Sequence, residues 1–204
     1  MIDILTRTLL LISNALLVPV IIALFGMLLW TLILGGGFIR EWFERRKIVP
    51  LMARALVGLR QHRPFAQAWA SLEAAPSGLP RRFFSYVAGG NADEDVVEQA
   101  ISLLENDVAA ALGRHSFITR ISPILGLMGT LIPLGPALSG LAQGNIQALS
   151  GNLIVAFTAT VIGLFISGLS YGMGLTRRIW YARDMTTLEF LASAIQSHPV
   201  VNNA

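Results

Sequence analysis

Cysteine is missing from all 204 residues. That absence excludes a disulfide framework, a thiolate nucleophile, an iron–sulfur cluster and any Cys-type zinc site. Charge is scarce as well: 13% of residues are charged, about half of the ~25% usual in a soluble domain. It is also unevenly placed, with none between Arg7 and Arg40 and none between Arg120 and Arg177. The three histidines, His62, His115 and His198, are far apart and lack metal-ligand spacing. They read as solvated surface residues, and neither a metal, a cofactor nor a catalytic residue is expected.

The uncharged intervals are filled with apolar side chains. The chain is 54% hydrophobic with a mean hydropathy of +0.63, which makes it an integral membrane protein. A hydrocarbon core needs roughly 20 apolar residues per helix, so the second interval accommodates two spans, divided at the polar, glycine-containing "LAQGNIQALSG" (141–151). Three spans follow, near 10–36, 119–140 and 152–175. The first is an anchor and not a signal peptide, because its apolar run far exceeds a core of about 7–15 residues and no small-residue cleavage site precedes Arg40. Basic flanks set the orientation: "REWFERRK" (40–47), Arg114 with Arg120, and "TRRIWYAR" (176–183) face the cytoplasm under the positive-inside rule. The N-terminus and the 141–151 loop then face outward. The net charge of +3 reflects this topology, and nothing calls for nucleic acid.

The expected organisation is an N-terminal segment with span one (1–39), a cytoplasmic helical region (40–118), span two (119–140), an external loop (141–151), span three (152–176) and a cytoplasmic helical tail (177–204). "APSGLP" (75–80) and "AGGN" (88–91) are the breaks in the cytoplasmic region. Beyond the second, Asn91 and Glu94 match an N-cap with an acid three residues on. Val97, Ile101, Leu104, Val108, Ala111 and Leu112 then recur at helical spacing, with no breaker before Pro123. One long helix is predicted to run from the cytoplasm into span two. Span three does the reverse, with Ile179, Leu188, Leu191 and Ile195 in phase. The fold class is therefore all-α, with three transmembrane helices, two of them extended into the cytoplasm, and a helical cytoplasmic insertion.

Span two contains "GLMGTLIPLGPALSG" (126–140), in which four glycines and two prolines interrupt an apolar run. Helices in lipid gain little from hydrophobic burial against each other, so they associate through small residues and weakly polar side chains. Span two offers Gly126, Gly129, Thr130 and Pro133; span three offers Asn152, Ala156, Thr160, Gly163, Ser167 and Gly174 at spacings of three, four or seven. Leu153, Ile154, Phe157, Leu164 and Phe165 lie opposite, for lipid. Pro133 and Pro136 are expected to kink or end span two. Two readings of the stripe stand. One is tight packing within a polytopic chain; the other is a ring of subunits whose interior is lined by the hydroxyls of Thr130 and Thr160. "SGLSYG" (167–172) resembles a serine-nucleophile turn, but no intramembrane His or acid is there to activate it.

"LGLMGTLIPL" (125–134) with "LIVAFTATVIGLFISGLSY" (153–171) resembles the pore-lining helices of the MotA/TolQ/ExbB proton channel family, in its three-span ExbB/TolQ-like branch. The resemblance implies an oligomeric ring, usually a pentamer, in the inner (cytoplasmic) membrane. It also implies a separate ExbD/TolR/MotB-like single-span partner whose membrane aspartate carries the ion. By motif position Thr130 and Thr160 match the family's pore threonines. Many ExbB/TolQ-like members have a glutamate five residues before the span-three threonine; here that residue is Val155. The function implied is a stator that converts ion motive force into mechanical work. This fits a chain with no acid in its spans, since the proton-carrying carboxylate must then come from elsewhere. The alternatives are a non-conducting membrane scaffold and a transporter assembly subunit. The latter normally needs convergent polar groups at the midplane.

Overall fold

A computed structural model of the chain describes residues 2–60, 77–87 and 94–197. Every element among them is a helix: α1 (Ile2–Arg60), α2 (Gly78–Val87), α3 (Glu94–Ala142) and α4 (Ile146–Ser197). α1, α3 and α4 are each long and apolar enough to cross a membrane. They have 59, 49 and 52 residues, and at ~1.5 Å per residue each exceeds the ~30 Å hydrocarbon core by more than a factor of two. All three long helices therefore continue beyond a bilayer, where the sequence led us to expect only two. α1 passes through Gly35–Gly37 and Pro50 without a break.

The chain divides into two units, Met1–Gly35 with Arg114–Gly174, and Gly36–Gly113 with Leu175–Ala204. In the first, Val20, Leu24 and Met27 of α1 meet Ile118 and Ile132 of α3 and Ala159 and Ile166 of α4 in one core. Ser122 donates to Ile118 O (2.7 Å) and to the Met27 sulfur (3.3 Å), and the Trp30 and Phe117 rings pack with centroids 6.4 Å apart.

Pro123, Pro133 and Pro136 all lie inside α3, so neither of the last two ends the helix as anticipated. Each removes one backbone hydrogen bond, a loss that neighbouring helices make tolerable in a membrane segment. The α3–α4 connection is also tighter than the 141–151 loop. Gly144, at φ 71°, forms a Schellman stop in which Gly144 N–H bonds Leu141 O (3.0 Å) and Asn145 N–H bonds Gly140 O (2.8 Å). The Asn145 side chain then caps α4 by accepting from Ala148 N–H (2.9 Å).

The second unit is a small helical core. Ile48 and Met52 of α1, Leu79, Phe83 and Val87 of α2, Val97, Ala100 and Leu104 of α3, and Met185, Leu188, Leu191 and Ala192 of α4 are all buried together. Of the helical-phase residues named from the sequence, Val97, Leu104, Leu188 and Leu191 are in this core and Ile101 and Val108 pack against it, whereas Ile179 is exposed. The "AGGN" break and the Asn91 cap lie outside the described residues.

Ion pairs and aromatics join α1 to α4 in this unit. Arg45 makes a bidentate pair with Asp184 (2.7 and 2.8 Å) while its guanidinium lies 4.8 Å from the Trp180 ring centroid. Trp180 stacks on Phe38 with a 4° interplanar angle and meets Trp42 edge-on. Arg177 pairs with Glu41 at 2.8 Å. Burial and the neighbouring Glu41 carboxylate push the Tyr181 phenol up to about 12.

Candidate functional site

The small residues of α3 and α4 form one close seam in the first unit. A Cβ built on Gly126 would meet Ala159 O at 3.2 Å, Gly163 Cα at 3.3 Å and Thr160 Cα at 3.4 Å; one on Gly129 would meet the Ala159 Cβ at 2.6 Å. Gly163 is as tight against α3 backbone, where a Cβ would meet Ser122 O at 2.7 Å. Only glycine permits these approaches. Ala156 and Pro133 are buried on the same helices, Ser167 donates across the seam to Thr119 O (2.8 Å), and Asn152 donates back to Ala148 O (2.9 Å). On the far side of α4, Ile154, Phe157, Leu164 and Phe165 are exposed, while Leu153 is half-buried. The stripe thus corresponds to packing between α3 and α4 of one chain.

The two threonines are placed differently. Thr130 is half-buried and donates to Leu127 O in its own helix (2.6 Å), the local bond common for threonine in a membrane helix. The Thr160 hydroxyl is buried with no hydrogen-bond partner among the described residues. A desolvated hydroxyl left unpaired costs about 1–3 kcal/mol, so Thr160 is a poor choice for packing alone.

Three polar positions went unnoticed or were misread in the sequence. His115 is no surface residue: it is 2% exposed, its Nδ1 lies 3.3 Å from Ser170 Oγ, and Ser170 in turn donates to His115 O (3.2 Å). Gly174 makes room for it, since a Cβ there would meet the His115 Cβ at 3.0 Å. Ser170 continues the seam one turn beyond Ser167, and extending the small-residue period would have found it. Thr31 of α1 is fully buried, its hydroxyl without a partner among the described residues, and a lone threonine in a leucine-rich run gives no such signal. His62 and His198 lie outside the described residues.

Val155 lines an apolar hollow of about 220 Å³ with Ile21, Leu24, Phe25, Ile154, Thr158, Ala159 and Ile162. The only hydroxyl there, on Thr158, is taken by Ile154 O (2.7 Å). A carboxylate at 155 would meet no donor in this lining, which accounts physically for an apolar residue at that position. Among the described residues no group of three or more His, Cys, Asp or Glu is placed to hold a metal.

Residues 85–177, just under half of the chain, match the model of the MotA/TolQ/ExbB proton channel family. The match runs from the end of α2 through all of α3 and the connection to Arg177 of α4, and so contains the whole seam. Members of that family are non-catalytic transport and motor proteins. A comparison with curated proteins found no match.

Proposed function

We propose that this chain, a member of the MotA/TolQ/ExbB proton channel family over residues 85–177, is the channel-forming stator subunit of an ion-driven machine in the inner membrane. The observation that carries the reading is the family match over the two helices that carry Thr130 and Thr160. In this reading 10–36, 119–140 and 152–175 cross the bilayer, the N-terminus is outside, and 40–118 and 177–204 are cytoplasmic. Several copies, five by family resemblance, surround an ExbD/TolR/MotB-like single-span partner that supplies the membrane carboxyl.

The chemistry assigned to this chain is hydroxyl chemistry. A threonine hydroxyl donates to a carboxylate and accepts from a carboxylic acid, so it follows the partner's acid through both protonation states. Thr130 keeps acceptor capacity while donating to Leu127 O. Thr160 has no competing bond, and a turn about χ1, for which a helical threonine has two populated wells, would present its hydroxyl to a carboxyl outside the seam. Ion passage then alternately charges and neutralises the partner's acid, changing its hold on the ring and moving one against the other.

A second reading, a non-conducting scaffold, draws on the closeness of the α3–α4 seam, which serves assembly equally well. Co-expression with the product of the neighbouring gene, followed by native mass spectrometry of the purified complex, separates the two. A ring with one or two copies of a single-span protein bearing a membrane acid supports the stator. A chain that assembles without any such partner favours the scaffold.

A further inference from the structure

Just past its uncharged run, α1 carries two acids, Glu41 and Glu44, and both are paired. Glu41 accepts from Arg177 (2.8 Å). Glu44 accepts from Arg40 Nε (2.9 Å) and from Ser77, bonds that hold its carboxyl below the usual carboxylate range. Arg45 turns inward to Asp184 and Trp180. On the outside of the helix the character is the reverse, cationic and apolar together. Ile39 and Phe43 are exposed at 58% and 61%, the Arg46 guanidinium lies over the Phe43 ring at 5.9 Å, Lys47 is exposed, and the Arg40 side chain is 78% exposed despite its bond to Glu44. The helical repeat sets Arg40, Phe43 and Lys47 on one face, with Arg46 flanking it.

We infer that this face is a binding site for the headgroup of an anionic glycerophospholipid. Ile39 is the last residue of the uncharged run and Arg40 the first cation, so the patch falls where hydrocarbon gives way to phosphate. The Arg46 fork suits two phosphate oxygens, Lys47 adds a point charge, and Ile39 and Phe43 meet the glycerol and upper acyl carbons. Charge complementarity selects the anionic lipid: with Glu41 and Asp184 engaged inward and Glu44 bonded to Arg40 and Ser77, Arg46 and Lys47 leave the patch net cationic, and a zwitterionic headgroup would bring its own ammonium against them. The inference needs α1 to be a span but does not need the partner or ion flow, so it and the stator reading fail separately.

The test is lipid retention by the full chain in mild detergent, offered equal amounts of phosphatidylglycerol and phosphatidylcholine and read by native mass spectrometry. The wild type is expected to retain phosphatidylglycerol preferentially. R46Q/K47Q should lose that preference by about fivefold for each cation removed, and the charge-conserving R46K/K47R should keep most of it. Equal retention of the two lipids by the wild type overturns the site, as does an unchanged preference in R46Q/K47Q. Should R46Q/K47Q fail to fold, the wild-type comparison decides alone.

Discussion

Gly163 and Gly126 face each other across α3 and α4 so closely that a Cβ on Gly163 would lie 2.9 Å from the Gly126 Cα. Both contacting atoms belong to backbone, which has no rotamer to yield. Gly163→Ala is therefore expected to destabilise the protein by about 1–3 kcal/mol, read as a lowered Tm in detergent. Gly168→Ala, one turn away in open space, should leave Tm unchanged or slightly raised through helix propensity.

That contact illustrates which parts of the molecule were legible in the sequence. Small residues recur at the helical period, so the stripe on α4 could be read and its neighbour on α3 inferred. The spans were readable because charge cannot be hidden in hydrocarbon. His115 was not, since it follows Arg114 in a charged flank and its burial is decided by Gly174 and Ser170 on another helix. Nor was the continuation of α1, where Gly35–Gly37 and the charges after Ile39 suggested a boundary. The helix persists there because Ile48 and Met52 are held in a core with α2, α3 and α4. The Arg45–Asp184 pair joins residues 139 positions apart, and no local pattern announces it.

Thr31 offers a control for the cost of a buried hydroxyl. Its Oγ1 has no partner among the described residues, so Thr31→Val removes a desolvated polar group while keeping the shape. Tm should stay level or rise, by an amount equivalent to about 1 kcal/mol. A marked fall in thermal stability would mean that the hydroxyl is bonded in the assembled protein.

Arg45→Ala leaves Asp184, whose side chain is 7% exposed, without its bidentate partner, and strands Trp180 without its cation. The expected loss is about 3–5 kcal/mol. Arg45→Lys should recover only part of it, because an ammonium neither forks nor stacks like guanidinium. Removing both partners together should cost less than the sum of the single changes, which a double-mutant cycle on thermal unfolding would measure.

Alkaline stability should bear the mark of Tyr181. Its folded value of about 12 stands above the ordinary phenol value of 10.0, so the folded state holds the phenolic proton more tightly than the unfolded state. The resulting contribution is complete below about pH 10 and is lost as pH rises toward 12. Tyr181→Phe should flatten the fall in Tm over that window. Glu44 acts with the opposite sign: Ser77 and Arg40 hold its carboxyl below the ordinary value of 4.5, so its contribution is present above 4.5 and fades as pH falls through the lowered value. Glu44→Gln should blunt the acid side of the profile.

Whether Thr130 and Thr160 serve ion passage or only packing is decided by ion flux through the purified complex with its acidic single-span partner, comparing wild type with Thr130→Val/Thr160→Val. The double variant should assemble with unchanged stoichiometry and undiminished Tm but pass ions at least about tenfold more slowly, as expected when one to two hydrogen bonds to the moving charge are lost. Wild-type flux in the assembled double variant would contradict a role in ion passage and leave the threonines as part of a scaffold.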